Sequence, residues 1–184
     1  MNSKQVYGLS IRYLILLVLG VGISIFYSVF NFLTVYPVTW ILMLFSGGTR
    51  LFEGNLIFFK GFYAEIISAC VAGAAYYLLL ILNLSTPMKL KTRIKSILFL
   101  IFTFLVLNII RIAIFTILLT TGFEYFDLVH MAVWYFGSTI LVVLIWFVNV
   151  WLFKIKEIPV YSDVKEIWEE IKIPTWPKGS GVFL

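Results

Sequence analysis

Long stretches without a charged residue constrain the fold more than any other feature of this sequence. Residues 13–49, 66–88 and 128–153 contain no Asp, Glu, Lys or Arg, and a helix that crosses a bilayer needs about 20 mainly apolar residues. Overall 62% of the residues are hydrophobic, only 12% are charged, and the mean hydropathy is +1.04. This pattern predicts a polytopic membrane protein and excludes a soluble globular enzyme, a disordered chain and a nucleic-acid-binding domain.

The alternation of apolar runs and polar connectors predicts an all-α membrane protein built as a four-helix transmembrane bundle. The spans are expected at about 11–34, 66–84, 97–120 and 129–152. The apolar piece 37–45 is too short to cross a membrane, so it is expected to form an interfacial or re-entrant segment on the outer side. The turn-forming run Ser46-Gly47-Gly48 is expected to end that segment.

Basic residues in the connectors predict the orientation, because cytoplasmic loops carry an excess of Lys and Arg. The expected outer loops contain only Arg50 and Lys60. The opposite side carries many more, namely Lys4, Arg12, Lys89, Lys91, Arg93, Lys95, Lys154, Lys156, Lys165, Lys172 and Lys178. Both termini are therefore expected in the cytoplasm of a multi-pass protein of the plasma membrane. The net charge of +5 is a topology signal, and no nucleic-acid partner is expected.

The chain divides into a transmembrane domain, 1–153, and a cytoplasmic tail, 154–184. Apolar residues of the tail recur at helical spacing while acidic and basic residues occupy the other side. The apolar ones are Val164, Ile167, Trp168 and Ile171. This spacing predicts a short amphipathic helix after Ser162, lying on the inner surface or against the bundle.

Polar side chains at membrane depth are the candidates for function, since ionisable groups inside spans are costly and usually face the bundle interior. Three stand out: Cys70, Arg111 and His130. They are the only cysteine, the only charged residue of the third span and the only histidine. A single Cys and a single His exclude an internal disulfide, a CxxC redox pair and a cysteine-based or multi-histidine metal site. No metal or organic cofactor is expected.

Each of the three residues also has a purely structural interpretation. Cys70 can be a buried structural thiol, and His130 an incidental polar residue near the interface. Arg111, with Asn108 three positions earlier on the same face, needs an anionic or strongly polar partner. The candidate partners are a substrate carbonyl, a lipid phosphate, or one of Glu65, Glu124 and Asp127.

The three residues carry more weight together than singly. They come from three different predicted spans, and the predicted topology puts all of them in the outer third of the bilayer. A thiolate nucleophile needs a nearby base, and a developing oxyanion needs a fixed positive or donor group. Cys70, His130 and Arg111 with Asn108 supply these roles. Asp127, three residues before His130, could orient the imidazole.

These residues resemble the core of the exosortase/archaeosortase family of membrane cysteine transpeptidases. The resemblance rests on Ala69-Cys70-Val71-Ala72-Gly73 at the outer start of one span, Asn108-x-x-Arg111-Ile112 in the next, and His130 at the start of the following one. It covers about residues 60–153. It implies Cys70 as nucleophile, His130 as general base, and Arg111, supported by Asn108, as stabiliser of the oxyanion or thiolate.

The resemblance implies a partner and a reaction as well. Family members cleave the C-terminal sorting signal of exported proteins, which comprises a short motif, a transmembrane helix and a basic cluster. The new carboxyl end forms a thioester with the Cys and passes to an acceptor, a membrane lipid or an amine.

Two other functions stay open from the residues. One is a non-enzymatic assembly or binding protein that uses Arg111 to hold an acidic or lipid headgroup. The other is a small transporter, which is disfavoured because the predicted spans contain no Asp or Glu.

Overall fold

The computed structural model describes residues 3–164 and Trp168. These residues are mostly helical, with one small antiparallel sheet between the second and third helices. The elements, in chain order, are α1 (Ser3–Val21), α2 (Ile23–Phe45), β1 (Arg50–Phe52), β2 (Leu56–Phe59), β3 (Phe62–Glu65), α3 (Ser68–Val71), α4 (Gly73–Leu84), α5 (Leu90–Leu119), α6 (Phe126–Ala132), a π-helical turn (Val133–Gly137) and α7 (Ser138–Phe153).

Three helical stretches are long and apolar enough to cross a membrane, as expected of a membrane-embedded protein. They are α2, α5 and the continuous stretch Phe126–Phe153, which runs through α6, the π-helical turn and α7. The last two cover the spans predicted at 97–120 and 129–152, except that α5 ends at Leu119. The apolar helices of 7–21 and 68–84 are shorter, so the number of four spans stays a prediction.

The first predicted span, 11–34, is not one helix, because the chain breaks at Gly22 between α1 and α2. A close contact lies beside this break: a Cβ added to Gly20 would lie 2.5 Å from the Tyr77 hydroxyl. That hydroxyl donates a hydrogen bond to the Leu16 carbonyl at 2.9 Å. Only a glycine allows α1 to approach α4 this closely.

The predicted separate segment 37–45 is also corrected, because α2 continues through Pro37 to Phe45. Proline inside a helix removes one backbone hydrogen bond. Burial compensates for this loss, since Val35, Val38 and Leu42 lie fully inside the apolar core. The sequence-based interpretation treated Pro37 as a boundary, but tertiary packing keeps the helix intact.

The sheet is an element that the sequence analysis did not predict. Strand β2 pairs with both neighbours, and Lys60 and Gly61 join it to β3 with φ values of +47° and +90°. Two successive positive φ values are typical of the type I′ turn that closes two-residue hairpins. Ile57 and Phe59 point from β2 into the core and are fully buried.

A stack of aromatic rings forms the centre of the molecule. Phe30 of α2 stacks on Tyr76 of α4 with ring centroids 3.6 Å apart, and Tyr76 meets the edge of Phe104 of α5 at 4.8 Å. The latter two side chains are fully buried and Phe30 nearly so. This stack fixes α2, α4 and α5 relative to one another.

Polar side chains join the helices at the end of the molecule remote from the sheet. Ser96 of α5 accepts a hydrogen bond from Asn83 of α4 at 2.6 Å and donates one to Asn149 of α7 at 2.8 Å. Arg93, assigned from sequence to a cytoplasmic connector, is buried and donates to the carbonyls of Asn83 and Thr86. It therefore satisfies carbonyl groups at the C-terminal end of α4.

The same end carries an ion pair between the first helix and the tail. Arg12 lies 2.8 Å from Asp163, which also accepts a hydrogen bond from Tyr13. We call this the tail end, and the opposite end, which carries the sheet, the sheet end. Residues 161–164 are helical. The predicted amphipathic helix otherwise falls almost wholly outside the described residues, Ile167 and Ile171 included.

Candidate functional site

The predicted second span, 66–84, is broken immediately after its cysteine. Cys70 lies in α3, which has a single turn and ends at Ala72, a residue with φ +57° and ψ +43°. This left-handed conformation is unfavourable for alanine by roughly 1–2 kcal/mol. Helix α4 then begins at Gly73, where an added Cβ would lie 2.9 Å from the Tyr27 ring. The absence of a side chain at Gly73 thus allows α2 to pack closely here.

A break in a buried apolar helix leaves backbone carbonyls that need hydrogen-bond donors. Here the donors come from α5. The Asn108 amide nitrogen lies 3.0 Å from the Cys70 carbonyl and 3.3 Å from the Val71 carbonyl. Arg111 also donates to the Cys70 carbonyl, at 3.2 Å. Two side chains predicted to be functional therefore hold the backbone of the cysteine itself.

The other arm of the guanidinium reaches α7. Arg111 Nη1 donates to Ser138 Oγ at 2.8 Å, and Ser138 directly follows the π-helical turn Val133–Gly137. Such turns inside α-helices are frequent at functional sites. Among the described residues no carboxylate pairs with Arg111, so the carboxylate partners considered from sequence are replaced by a carbonyl and a hydroxyl.

Cys70, Arg111 and His130 line one cleft at the sheet end, with a volume of about 270 Å³. Its wall is mainly apolar. The other lining residues come from the end of β3 and the segment after it, from α5, and from the Phe126–Phe153 stretch: Ala64, Glu65, Ile66, Ile67, Ile112, Phe115, Thr116, Leu119, Phe126, Val133 and Trp134. A thiol, an imidazole and a guanidinium from three separate helices thus share one pocket.

Aromatic rings position the histidine. His130 stacks on Phe126, with centroids 5.4 Å apart, and meets the edge of Phe115 at 5.3 Å. The structure does not bring the predicted supporting residue Asp127 to it: no hydrogen bond joins the two within residues 3–164, and Asp127 is exposed. The spacing of three residues placed both on α6, but ring packing orients the imidazole.

Three features of the site were missed from the sequence. Ser138 holds Arg111, Phe115 and Phe126 hold His130, and the end of β3 forms one rim of the cleft. A serine within a run that contains no charged residue was the one available sequence signal. No sequence signal indicated the rim formed by β3, because β3 is held in place by its pairing with β2 in a hairpin.

The site contains few ionisable groups and no evident metal site. Besides the three predicted residues, Glu65 is the only charged residue among those described that lines the cleft. Within the described part of the chain, no group of three or more His, Cys, Asp or Glu side chains is placed to hold a metal ion. In comparisons with protein-family models, curated proteins and solved structures, nothing matches this chain.

Proposed function

We propose that this chain is a membrane-embedded cysteine transpeptidase of the exosortase/archaeosortase type. The observation that supports it is the shared cleft of Cys70, Arg111 and His130, side chains contributed by three helices far apart in sequence. Nucleophile, base and oxyanion-stabilising group are the three parts that covalent acyl transfer by a thiol requires. The substrate is the C-terminal sorting signal of an exported protein, which contains a transmembrane helix.

We place the cleft on the extracytoplasmic side of the plasma membrane and both termini in the cytoplasm. The distribution of Lys and Arg supports this orientation, since the connectors at the sheet end contain only Arg50 and Lys60. An exported substrate that is still anchored by its transmembrane helix presents its peptide bonds to a site at that depth.

In the first half of the reaction, His130 takes the proton of the Cys70 thiol and the sulfur attacks the scissile carbonyl carbon. A C–S bond forms and the carbonyl oxygen gains negative charge, which the Arg111 guanidinium stabilises. The C–N bond then breaks. The leaving amine, on the released transmembrane segment, takes the proton from His130, and the thioester on Cys70 remains.

In the second half, the hydroxyl of a lipid or an amine attacks the thioester carbonyl. His130 accepts the proton of this nucleophile, the C–S bond breaks, and the proton returns to the sulfur. The product is an ester or amide at the new carboxyl end, with Cys70 restored. No oxidant, metal or nucleotide is consumed.

Arg111 and Asn108 have a second task in this mechanism. Because both donate to the carbonyl of Cys70, they fix the backbone from which the nucleophile projects. A guanidinium has five N–H donors, and two of them are used by Ser138 and Cys70. Donors therefore remain for an oxyanion.

The test is acylation of the purified protein in detergent by acetylglycine benzyl thioester, followed by intact mass. Cys70 is the only cysteine, so each adduct of this kind reports on one thiol. The matched control is Cys70→Ala/Ala74→Cys, which moves the thiol to an exposed position one turn along. We expect Cys70 to react faster than the control thiol and glycinamide to resolve the adduct.

Two variants separate the roles in that assay. His130→Ala is expected to slow acylation by roughly 10²–10⁴-fold, and Arg111→Lys by about 10²–10³-fold. Equal reactivity of Cys70 and the control thiol, unaffected by either variant, would reject the enzyme and favour a protein that holds an anionic headgroup with Arg111.

A further inference from the structure

Strand β3 is an open edge of the sheet. Within the described part of the chain the sheet order is β1-β2-β3, so β3 has a neighbouring strand on one side only. Its residues are mostly exposed, Tyr63 by 62% and Phe62 by 47%. An unpaired edge presents a row of backbone N–H and C=O groups that can pair with another extended chain.

The hairpin register shows which groups are free. Phe59 pairs with Phe62 across the two-residue turn, and Ile57 pairs with Ala64. In an antiparallel ladder, hydrogen-bonded pairs alternate with non-bonded ones, and the pair closing a two-residue turn is bonded. Phe62 and Ala64 therefore bond to β2, whereas the N–H and C=O groups of Tyr63 and Glu65 point to the open edge.

This edge leads directly into the candidate site. Ala64, Glu65, Ile66 and Ile67 all line the cleft that contains Cys70. The amide of Ile66 continues the pairing on the β2 side by donating to the Asn55 carbonyl at 3.1 Å. The next outward residue is Ile67, whose carbonyl already accepts from the amides of Cys70 and Val71, so the open edge ends at Glu65. A strand rises about 3.3 Å per residue. A chain paired with Tyr63 and Glu65 therefore needs only a few further residues to reach the cysteine.

The opposite edge of the sheet has no such relation to the cleft. Arg50 and Phe52 of β1 face Phe58 and Leu56 of β2, which leaves only the backbone of Leu51 pointing outward. None of the β1 residues lines the cleft. With strands spaced about 4.8 Å apart, this edge lies two strands farther from the site.

We infer that β3 binds the extended segment of the substrate that precedes its transmembrane helix, as a fourth strand parallel to β3. This inference rests on the proposed function. The orientation follows from topology: β3 runs toward α3 and α4, and an exported substrate entering its own membrane helix runs the same way. Its backbone pairs with Tyr63 and Glu65 while the next peptide bond enters the cleft.

Pairing through the backbone has a consequence for specificity. Main-chain hydrogen bonds supply affinity that is independent of side chains, and pockets for alternate residues supply selectivity. The occupant of the edge is therefore an extended peptide, and a helical or folded segment does not fit. Side chains near the scissile bond are selected by the apolar cleft wall.

The experiment compares two acyl donors on the same protein. One is acetylglycine benzyl thioester, which has no strand to pair. The other is a pool of octapeptide benzyl thioesters, degenerate except for a C-terminal glycine. The readout is the ratio of the two second-order acylation rates of Cys70. We expect this ratio to be at least tenfold in the unmodified protein, which equals about 1.4 kcal/mol.

Tyr63→Pro removes the outward N–H of the edge and places a ring there, a substitution that edge strands accept. The ratio is expected to fall to about one. Two controls are expected to keep the ratio high: Tyr63→Ala, which removes the same side chain but keeps the N–H, and Leu51→Pro, which makes the same change at the β1 edge.

A second measurement leaves the protein unchanged. A pool N-methylated at every residue before the C-terminal glycine cannot donate the hydrogen bonds of a strand from either edge, so its advantage over acetylglycine is expected to disappear. The inference is overturned if the methylated pool reacts as fast as the unmethylated one, or if Tyr63→Pro keeps the full ratio. Failure of both donors to acylate Cys70 would instead reject the proposed function.

Discussion

At the scale of single residues, the main finding is that Asn108 and Arg111 bind the backbone of the candidate nucleophile. The sequence placed these two side chains on one face of a helix, but their contact with the Cys70 carbonyl accompanies the break at Ala72. The break frees a backbone carbonyl at Cys70, and this carbonyl accepts hydrogen bonds from the two α5 side chains. Structural support and proposed catalysis are therefore combined in the same two residues.

Asn108→Leu is predicted to destabilise the protein. The change keeps the number and branching of the side-chain heavy atoms but leaves the Val71 carbonyl without its side-chain donor, and an unsatisfied buried group costs about 1–3 kcal/mol. The measurement is the midpoint of thermal unfolding in detergent. The matched control is Asn31→Leu, since Asn31 is only partly buried and donates to the side chain of Asn55. Equal effects of both changes would contradict the capping role.

At the scale of elements, the helix breaks at Gly22 and Ala72 and the β2–β3 hairpin determine where the residues of the candidate site lie. Residues 68–84 have the composition of one continuous helix, yet they form α3 and α4 with a left-handed residue between them. A continuous helix would have hidden the Cys70 carbonyl in its own hydrogen bonds. The close packing of α2 at Gly73 accompanies this break, and the hairpin supplies the rim of the cleft.

Gly73→Ala is predicted to weaken the contact between α2 and α4. The added Cβ would lie 2.9 Å from the Tyr27 ring, and forcing a methyl group into a packed site costs roughly 1–3 kcal/mol. The unfolding midpoint is expected to fall, and Cys70 acylation to slow because the break moves. Adding Tyr27→Leu to the Gly73→Ala protein is expected to restore part of the unfolding midpoint and part of the Cys70 acylation rate.

Gly47→Ala is the control for this change, because a Cβ added there meets nothing within 4 Å. It is expected to leave both measurements unchanged. If the Gly73→Ala protein is as stable as this control, the prediction is wrong, because α2 then shifts to accommodate the added methyl group at little cost.

At the scale of the whole molecule, the two ends differ in character. The tail end is held by polar contacts that join α1, α4, α5, α7 and the tail, including the Arg12–Asp163 pair. The sheet end carries the open strand and the cleft. The proposed orientation places the tail end in the cytoplasm and the sheet end on the extracytoplasmic side.

The proposed orientation predicts which side of the membrane each end faces. In a Cys70→Ala background, Gly47→Cys at the sheet end and Lys156→Cys at the tail end are treated with an impermeant maleimide in intact cells. We expect complete labelling at position 47 and none at 156 until the membrane is permeabilised. The reverse pattern would place the cleft in the cytoplasm and exclude exported substrates.

Hydropathy and rare polar groups are local properties of the chain, so they are enough to predict the membrane class, the apolar runs and the three candidate residues. The other features depend on tertiary packing. Packing keeps 23–45 as one helix through Pro37, interrupts the helices at Gly22 and Ala72, and pairs Arg111 with Ser138 in place of a carboxylate. Each of these features depends on the packing contacts and hydrogen-bond partners that a neighbouring element supplies to a buried side chain or carbonyl. No pattern along the sequence contains that information.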